Sequence, residues 1–321
     1  VPERATERNV LEARWLNAVH IERLRTDPRS GKLDDDFDRG AERVSGDPTR
    51  RFAVNGVELA WDRWGDDHDD PPFVLCHGFV GSSFDFSLQI DALATERPVI
   101  ALDHRGHGLS SKTHDQATYS VAQLTHDFIA FLETVGSPVD LLGHSLGGRI
   151  ALGAVLERPD LVRSLILMDT TAWSFIPDNP QVREMMGAFI ESFDPAGGLP
   201  DPNLLRGPED ALVEAMTPES WRDRKLELYQ AVDPYAFKAI GTQLFASTEL
   251  TVRDRLPEIA CSVTVLVGEN DHPFVDQAPA LAAEVGYGHL AVIDGAYHSP
   301  QLTHPDDWRA AVSEHLARPA P

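Results

Sequence analysis

Val139–Ile150 reads VDLLGHSLGGRI. A largely apolar run ends abruptly in Gly143-His144-Ser145-Leu146-Gly147, and an Ala/Leu/Ile-rich helical pattern begins straight after it. Buried strand, sharp turn and helix are the setting that a G-x-S-x-G nucleophile elbow requires. Without a Cβ at Gly143 or Gly147 the backbone can pass close to itself while the residue between takes up strained dihedrals. Ser145 is then held out at the tip, at the N-terminus of the following helix, where unpaired N–H groups and the helix dipole favour negative charge. The five-residue pattern alone is also that of a plain strand-to-helix turn, so the rest of the chain has to decide.

The totals narrow the class. A chain of 321 residues holds one large α/β domain with an insertion, or two small domains. With 51 acidic against 28 basic residues the formal net charge is −23, which repels nucleic-acid phosphates and anionic lipid heads. Neither is an expected partner. The two cysteines, Cys76 and Cys261, lie within or just before apolar runs and read as buried free thiols. No stretch approaches the ~20 apolar residues of a membrane span. VPERATERNV has neither the basic nor the apolar region of a signal peptide, so a cytoplasmic location is expected, although a peptide removed before Val1 would leave no trace.

Residues 1–48 read as a helical extension. Leu11, Trp15, Leu16, Val19 and Leu24 mark a helix from about Thr6 to Arg25, ended by Asp27-Pro28. Its apolar face packs on its own domain or forms a contact in a homo-oligomer. From Arg51 the chain alternates. RFAVN and VELAWDRW flank Asn55-Gly56, a two-residue hairpin signal. Phe73–Cys76, Pro98–Leu102, Val139–Leu142 and Ser164–Met168 read as strands, with helices over Ser120–Val135 and Ser145–Leu156. After an irregular stretch from Thr170 to about Arg255, the pattern resumes with strand Val263–Val267, a helix near Gln277–Val285, strand Leu290–Ile293 and helix Pro305–Leu316. Such alternation means crossovers and a mostly parallel sheet.

Taken together, the elbow and the order of elements resemble the α/β-hydrolase family from Arg51 to the C-terminus. The resemblance implies a mostly parallel central sheet flanked by helices, a core of residues 49–169 and 256–321, and an inserted helical cap at 170–255. It implies a triad in chain order Ser, Asp, His: Ser145, then Asp271 in VTVLVGENDH, then His298 in VIDGAYHSP. Asp169, at the end of an earlier strand, is an alternative place for the acid. His77-Gly78-Phe79 is similar to the family's HG-x motif, which assigns the oxyanion hole to the N–H groups of Phe79 and Leu146. Each such donor is worth roughly 3 kcal/mol when lost. Asp103–Ser110 is similar to the family's D-x-R-G-x-G-x-S stretch, with a structural role for Asp103 and Arg105. His77, His104, His107 and His144 match no metal-ligand spacing, and neither metal nor other cofactor is expected.

A serine hydroxyl needs His298 to take its proton during attack and return it to the leaving group, while Asp271 orients and stabilises the imidazole. Relatives of this fold that open alkyl halides or epoxides use a carboxylate nucleophile, because the ester it forms can be cleaved by water. A seryl ether has no such exit, so Ser145 points to carbonyl chemistry. The expected activity is hydrolysis of a small-molecule ester or lactone with a bulky apolar body. Enzymes that open the macrocyclic lactone zearalenone share this superfamily and such a cap. Trp173, Phe175, Met186, Phe189 and Trp221 are expected to line the pocket, unless they form the cap's own core. Carbon–carbon hydrolysis of ring-fission products, and ligand reception on a retained hydrolase scaffold, are the alternatives.

Overall fold

The computed structural model describes residues 48, 50–65, 67–173, 175, 180–245 and 251–318. The helix expected over Thr6–Arg25 lies outside them. Among the described residues, eight strands form one sheet in the order β1-β2-β4-β3-β5-β6-β7-β8. β1 (Arg50–Val54) and β2 (Val57–Trp64) pair antiparallel across Asn55-Gly56, both at positive φ, as a two-residue turn matched to strand twist demands. β2 is antiparallel to β4 (Val99–Leu102). β4, β3 (Phe73–Cys76), β5 (Val139–His144), β6 (Val162–Met168), β7 (Ser262–Gly268) and β8 (Gly288–Ile293) run parallel.

The unbroken apolar runs reflect cover on both faces. Val74 and Cys76 join a core with Leu124 and Phe128 of α2 (Val121–Val135) and Ile150 of α3 (Leu146–Glu157). Phe73 and Leu75, one residue out of phase, join the opposite core with Ile90 of α1 (Ser87–Ala94) and Trp308 of α10 (Pro305–Leu316). Each large apolar side chain so buried contributes about 1.5–3 kcal/mol. Ser120 accepts the Gln123 N–H to start α2, the hydroxyl filling the role of a missing helical acceptor.

Between β6 and β7 stand α4 (Pro180–Ser192), α5 (Asp210–Met216), α6 (Glu219–Gln230) and α7 (Pro234–Phe245). Two buried side-chain hydrogen bonds are among the contacts that tie this insert to the core. Asp233 accepts the Tyr119 hydroxyl at 2.6 Å, and the Trp221 indole N–H donates to Ser87 at 2.8 Å. α8 (Phe274–Glu284) begins three residues before the expected start near Gln277. It contains Pro279 in its interior, and its first residue, Phe274, is buried against Phe175 and His298. Cys76 is buried and Cys261 only half-buried; both thiols are free. Among the described residues, no helix is long and apolar enough to cross a membrane.

Candidate active site

The site gathers at the carboxyl ends of β3, β5, β6 and β7 and on the loop after β8. Ser145 follows β5 with φ 55° and ψ −117°, a conformation costly for a residue with a Cβ. It is held from both sides: its N–H donates to Met168 O at 2.9 Å, and its carbonyl accepts the Thr170 hydroxyl and the Gly148 N–H. A Cβ on Gly147 would overlap the carbonyl oxygens of Cys76 and His77, and one on Gly143 would press into Gly147, Gly148 and Ala151. The elbow therefore passes against the end of β3 with no space for side chains on either glycine.

After β3 the chain crosses beside the elbow. A Cβ placed on Gly78 would stand 3.2 Å from Ser145 Cβ. His77 Nε2 accepts the His104 N–H at 3.0 Å, which leaves Nδ1–H to donate to Gly78 O at 2.8 Å. Burial, reinforced by His104 and His107 nearby, lowers the His77 pKa well below the usual imidazole range and keeps it neutral. Phe79 turns its ring to Phe237 and Phe245 of α7. Among the described residues, neither the Phe79 nor the Leu146 N–H donates to another protein group.

His298 Nδ1 lies 2.8 Å from Asp271 Oδ2, so Nδ1–H donates and Nε2 carries the free lone pair. Burial depresses the imidazole pKa, but the Asp271 charge and hydrogen bond, with Glu209 behind them, outweigh it and raise the net value. Asp271 is itself fixed by its N–H to Gly268 O and by accepting the Val275 N–H. His144 Nε2–H donates to the His298 carbonyl at 2.8 Å, with ring centroids 4.8 Å apart, and Phe274 stacks on the His298 ring at 5.4 Å. The elbow residue next to Ser145 thus grips the backbone of His298. Among the described residues, the Ser145 hydroxyl makes no hydrogen bond to the imidazole; such contacts commonly close only with substrate bound.

Asp169 is fully buried, with its Oδ1 accepting the Gly268 N–H at 2.9 Å. Burial first, then the neighbouring Asp271 charge, raise its pKa well above the carboxylate range. Burial and the nearby Asp271 carboxyl thus both favour the protonated form of Asp169. Asp103 accepts the N–H groups of Ser83 and Leu109, and Arg105 pairs bidentately with Asp127. Both tie loops together beneath the site.

The residues expected to touch substrate divide. Phe175 meets Phe274 edge-on at 5.2 Å, one ring removed from His298. Trp173 lies under the Arg253 guanidinium. Met186 and Phe189 are half-buried on α4. Trp221 is buried, stacks on Phe84 and satisfies its N–H at Ser87. The contacts of His144 and Glu209 with the His298 loop are absent from the sequence reading. Among the described residues, no group of three or more His, Cys, Asp or Glu is arranged to hold a metal ion.

A family model for the α/β hydrolase fold matches residues 71–305, and the chain belongs to that family: it is a hydrolase of the α/β fold. It is 27% identical over 278 residues to the putative carbamate hydrolase RutD of Rhizobium rhizogenes, covering 83% of this chain and 97% of that one. Pig bifunctional epoxide hydrolase 2 is 37% identical over 132 residues, which is 40% of this chain but only 23% of that protein's length. Est816, described as an N-acyl homoserine lactone degrading enzyme, superposes with a TM-score of 0.64 at 23% identity over 83% of this chain and 99% of its own. At that identity the likeness is one of fold.

Proposed function

We propose that the chain hydrolyses a carboxylic ester or lactone through a Ser145 acyl-enzyme. The observation that carries this reading is His298, pinned through Nδ1 to Asp271 with Nε2 free and gripped by His144, the neighbour of Ser145. Ser145 Oγ attacks the carbonyl carbon as Nε2 takes its proton. The carbonyl oxygen, now negative, is received by the free N–H groups of Phe79 and Leu146. As the tetrahedral adduct collapses, the carbon–oxygen bond to the alkoxide breaks and the imidazolium returns the proton to it. Water then repeats the sequence on the acyl-enzyme and releases the acid. In a lactone the alcohol remains tethered to the acyl group until that second step.

The serine sets this chain apart from epoxide opening despite its partial match to an epoxide hydrolase, because Ser145 cannot form an ester with an alkyl carbon. The insert acts as a cap over the site. Phe79, Phe175, Phe237 and Phe274 between cap and core support an apolar acyl or alcohol group. The test is hydrolysis of p-nitrophenyl esters, lactones and ring-fission dienones by the parent chain and by Ser145→Ala. Ester or lactone turnover that falls by ~10⁴-fold or more in the variant is the expected result. Turnover that survives the substitution removes the proposal, and activity confined to the dienones redirects it to carbon–carbon cleavage.

A further inference from the structure

Across the active-site seam from Asp271 there is a second carboxylate, and it belongs to the insert. Glu209 stands immediately before α5, which packs on the short helix α9 (Pro300–Thr303) that follows His298. Its Oε1 accepts the backbone N–H of Ser299, the next residue after His298, at 2.6 Å. Several titratable groups among the described residues face it. From the β8 loop they are His298 and Tyr297, from the β7 loop Asp271, from the end of β6 Asp169, and from its own helix Asp210. His144 faces His298 from the elbow and is held neutral by burial. Lys225, the cation that α6 brings to the seam, is engaged with Asp85. The imidazole is therefore influenced by two acids, Asp271 from the core through a direct hydrogen bond and Glu209 from the insert through its charge.

We propose that Glu209 is a positioning residue for acyl transfer: through Ser299 it fixes the His298 loop from the insert side, and its charge stabilises the imidazolium formed as Ser145 attacks. This rests on the reading of Ser145 and His298 given above. Burial raises the Glu209 pKa to about 7, opposed by His298 and the Ser299 N–H. Both of these neighbours favour the charged form of the carboxylate, and that charge in turn favours protonated His298. The base is complete only when the insert is seated, so its alignment depends on a segment that the sheet does not itself contain.

Two substitutions in the full chain separate position from charge. Glu209→Ala removes both. Glu209→Gln keeps an oxygen to accept from Ser299 and removes the charge alone. With p-nitrophenyl butyrate as probe, the alanine variant is expected to lose about 10-fold or more in kcat with little change in KM, and the glutamine variant to recover most of that loss. In both variants the acid limb of kcat/KM moves to lower pH by about half a unit, because an anion that favours protonated His298 has gone. The same shift is expected in an NMR titration of His298 in a Ser145→Ala background, where turnover plays no part. Parent-like kcat and an unmoved limb in both variants overturn the inference. So does a loss that merely follows a lowered melting temperature with the His298 titration unchanged. If instead Ser145→Ala retains turnover and a fluorophosphonate fails to label Ser145, the reading of the nucleophile has failed, and this is seen without any Glu209 variant.

Discussion

Asp271→Asn tests the core of the site most directly. The bond from His298 Nδ1 to Asp271 Oδ2 is 2.8 Å long, with the carboxylate side chain 10% and the imidazole 35% exposed. At an effective dielectric near 20, charges about 4 Å apart attract by about 4 kcal/mol, or about 10³-fold in rate if the imidazolium exists only in the transition state. Exposure of the ring screens part of this, while an asparagine that can present its NH₂ to Nδ1 favours the wrong tautomer and adds to the loss. The expected fall in kcat/KM is therefore about 10³- to 10⁴-fold on a p-nitrophenyl ester. The pH profile carries independent information. Asp271 raises the His298 pKa and His298 must be neutral to act as base, so residual activity in the variant should extend to lower pH than in the parent. A fall of less than about 10-fold, together with a larger one in Asp169→Asn, would refute the reasoning and move the acid to the end of β6.

Two further substitutions probe what the site costs the fold. Asp169 has a folded-state pKa raised above its unfolded value, so the unfolded chain releases its proton more readily and this group destabilises the fold increasingly as pH rises through and above the unfolded value. Asp169→Asn should therefore melt higher than the parent at pH 8, with the difference shrinking towards pH 4; an equal difference at both would contradict the neutral buried acid. Gly147→Ala puts a methyl onto the carbonyls of Cys76 and His77 and should cost at least about 3 kcal/mol in urea unfolding, whereas a parent-like midpoint would mean the elbow is looser than described.

What could be read from the chain beforehand was whatever the backbone dictates locally. The elbow was visible because an apolar strand, Gly143 and Gly147 on either side of Ser145, and a helical pattern fall within twelve consecutive residues, and the positive φ of Ser145 is the strain that those glycines make room for. Asn55-Gly56 and the helix from Pro305 to Leu316 were visible for the same reason. The insert was a different matter. Trp221 reads as a pocket residue from its size, yet its N–H has a closer obligation: burial requires an acceptor, and Ser87 supplies it 134 positions away. His144 matches no metal-ligand spacing in the sequence, and its bond to the His298 carbonyl spans 154 positions. Glu209 carries no motif in the sequence, and only the docking of α5 beside α9 brings its carboxylate to Ser299. In each case the side chain's partner is set by how two distant segments pack, a relation that no spacing encodes. The core of this fold can therefore be recognised from its turns, while the contacts of the loop after β8 are set by where the insert packs against it.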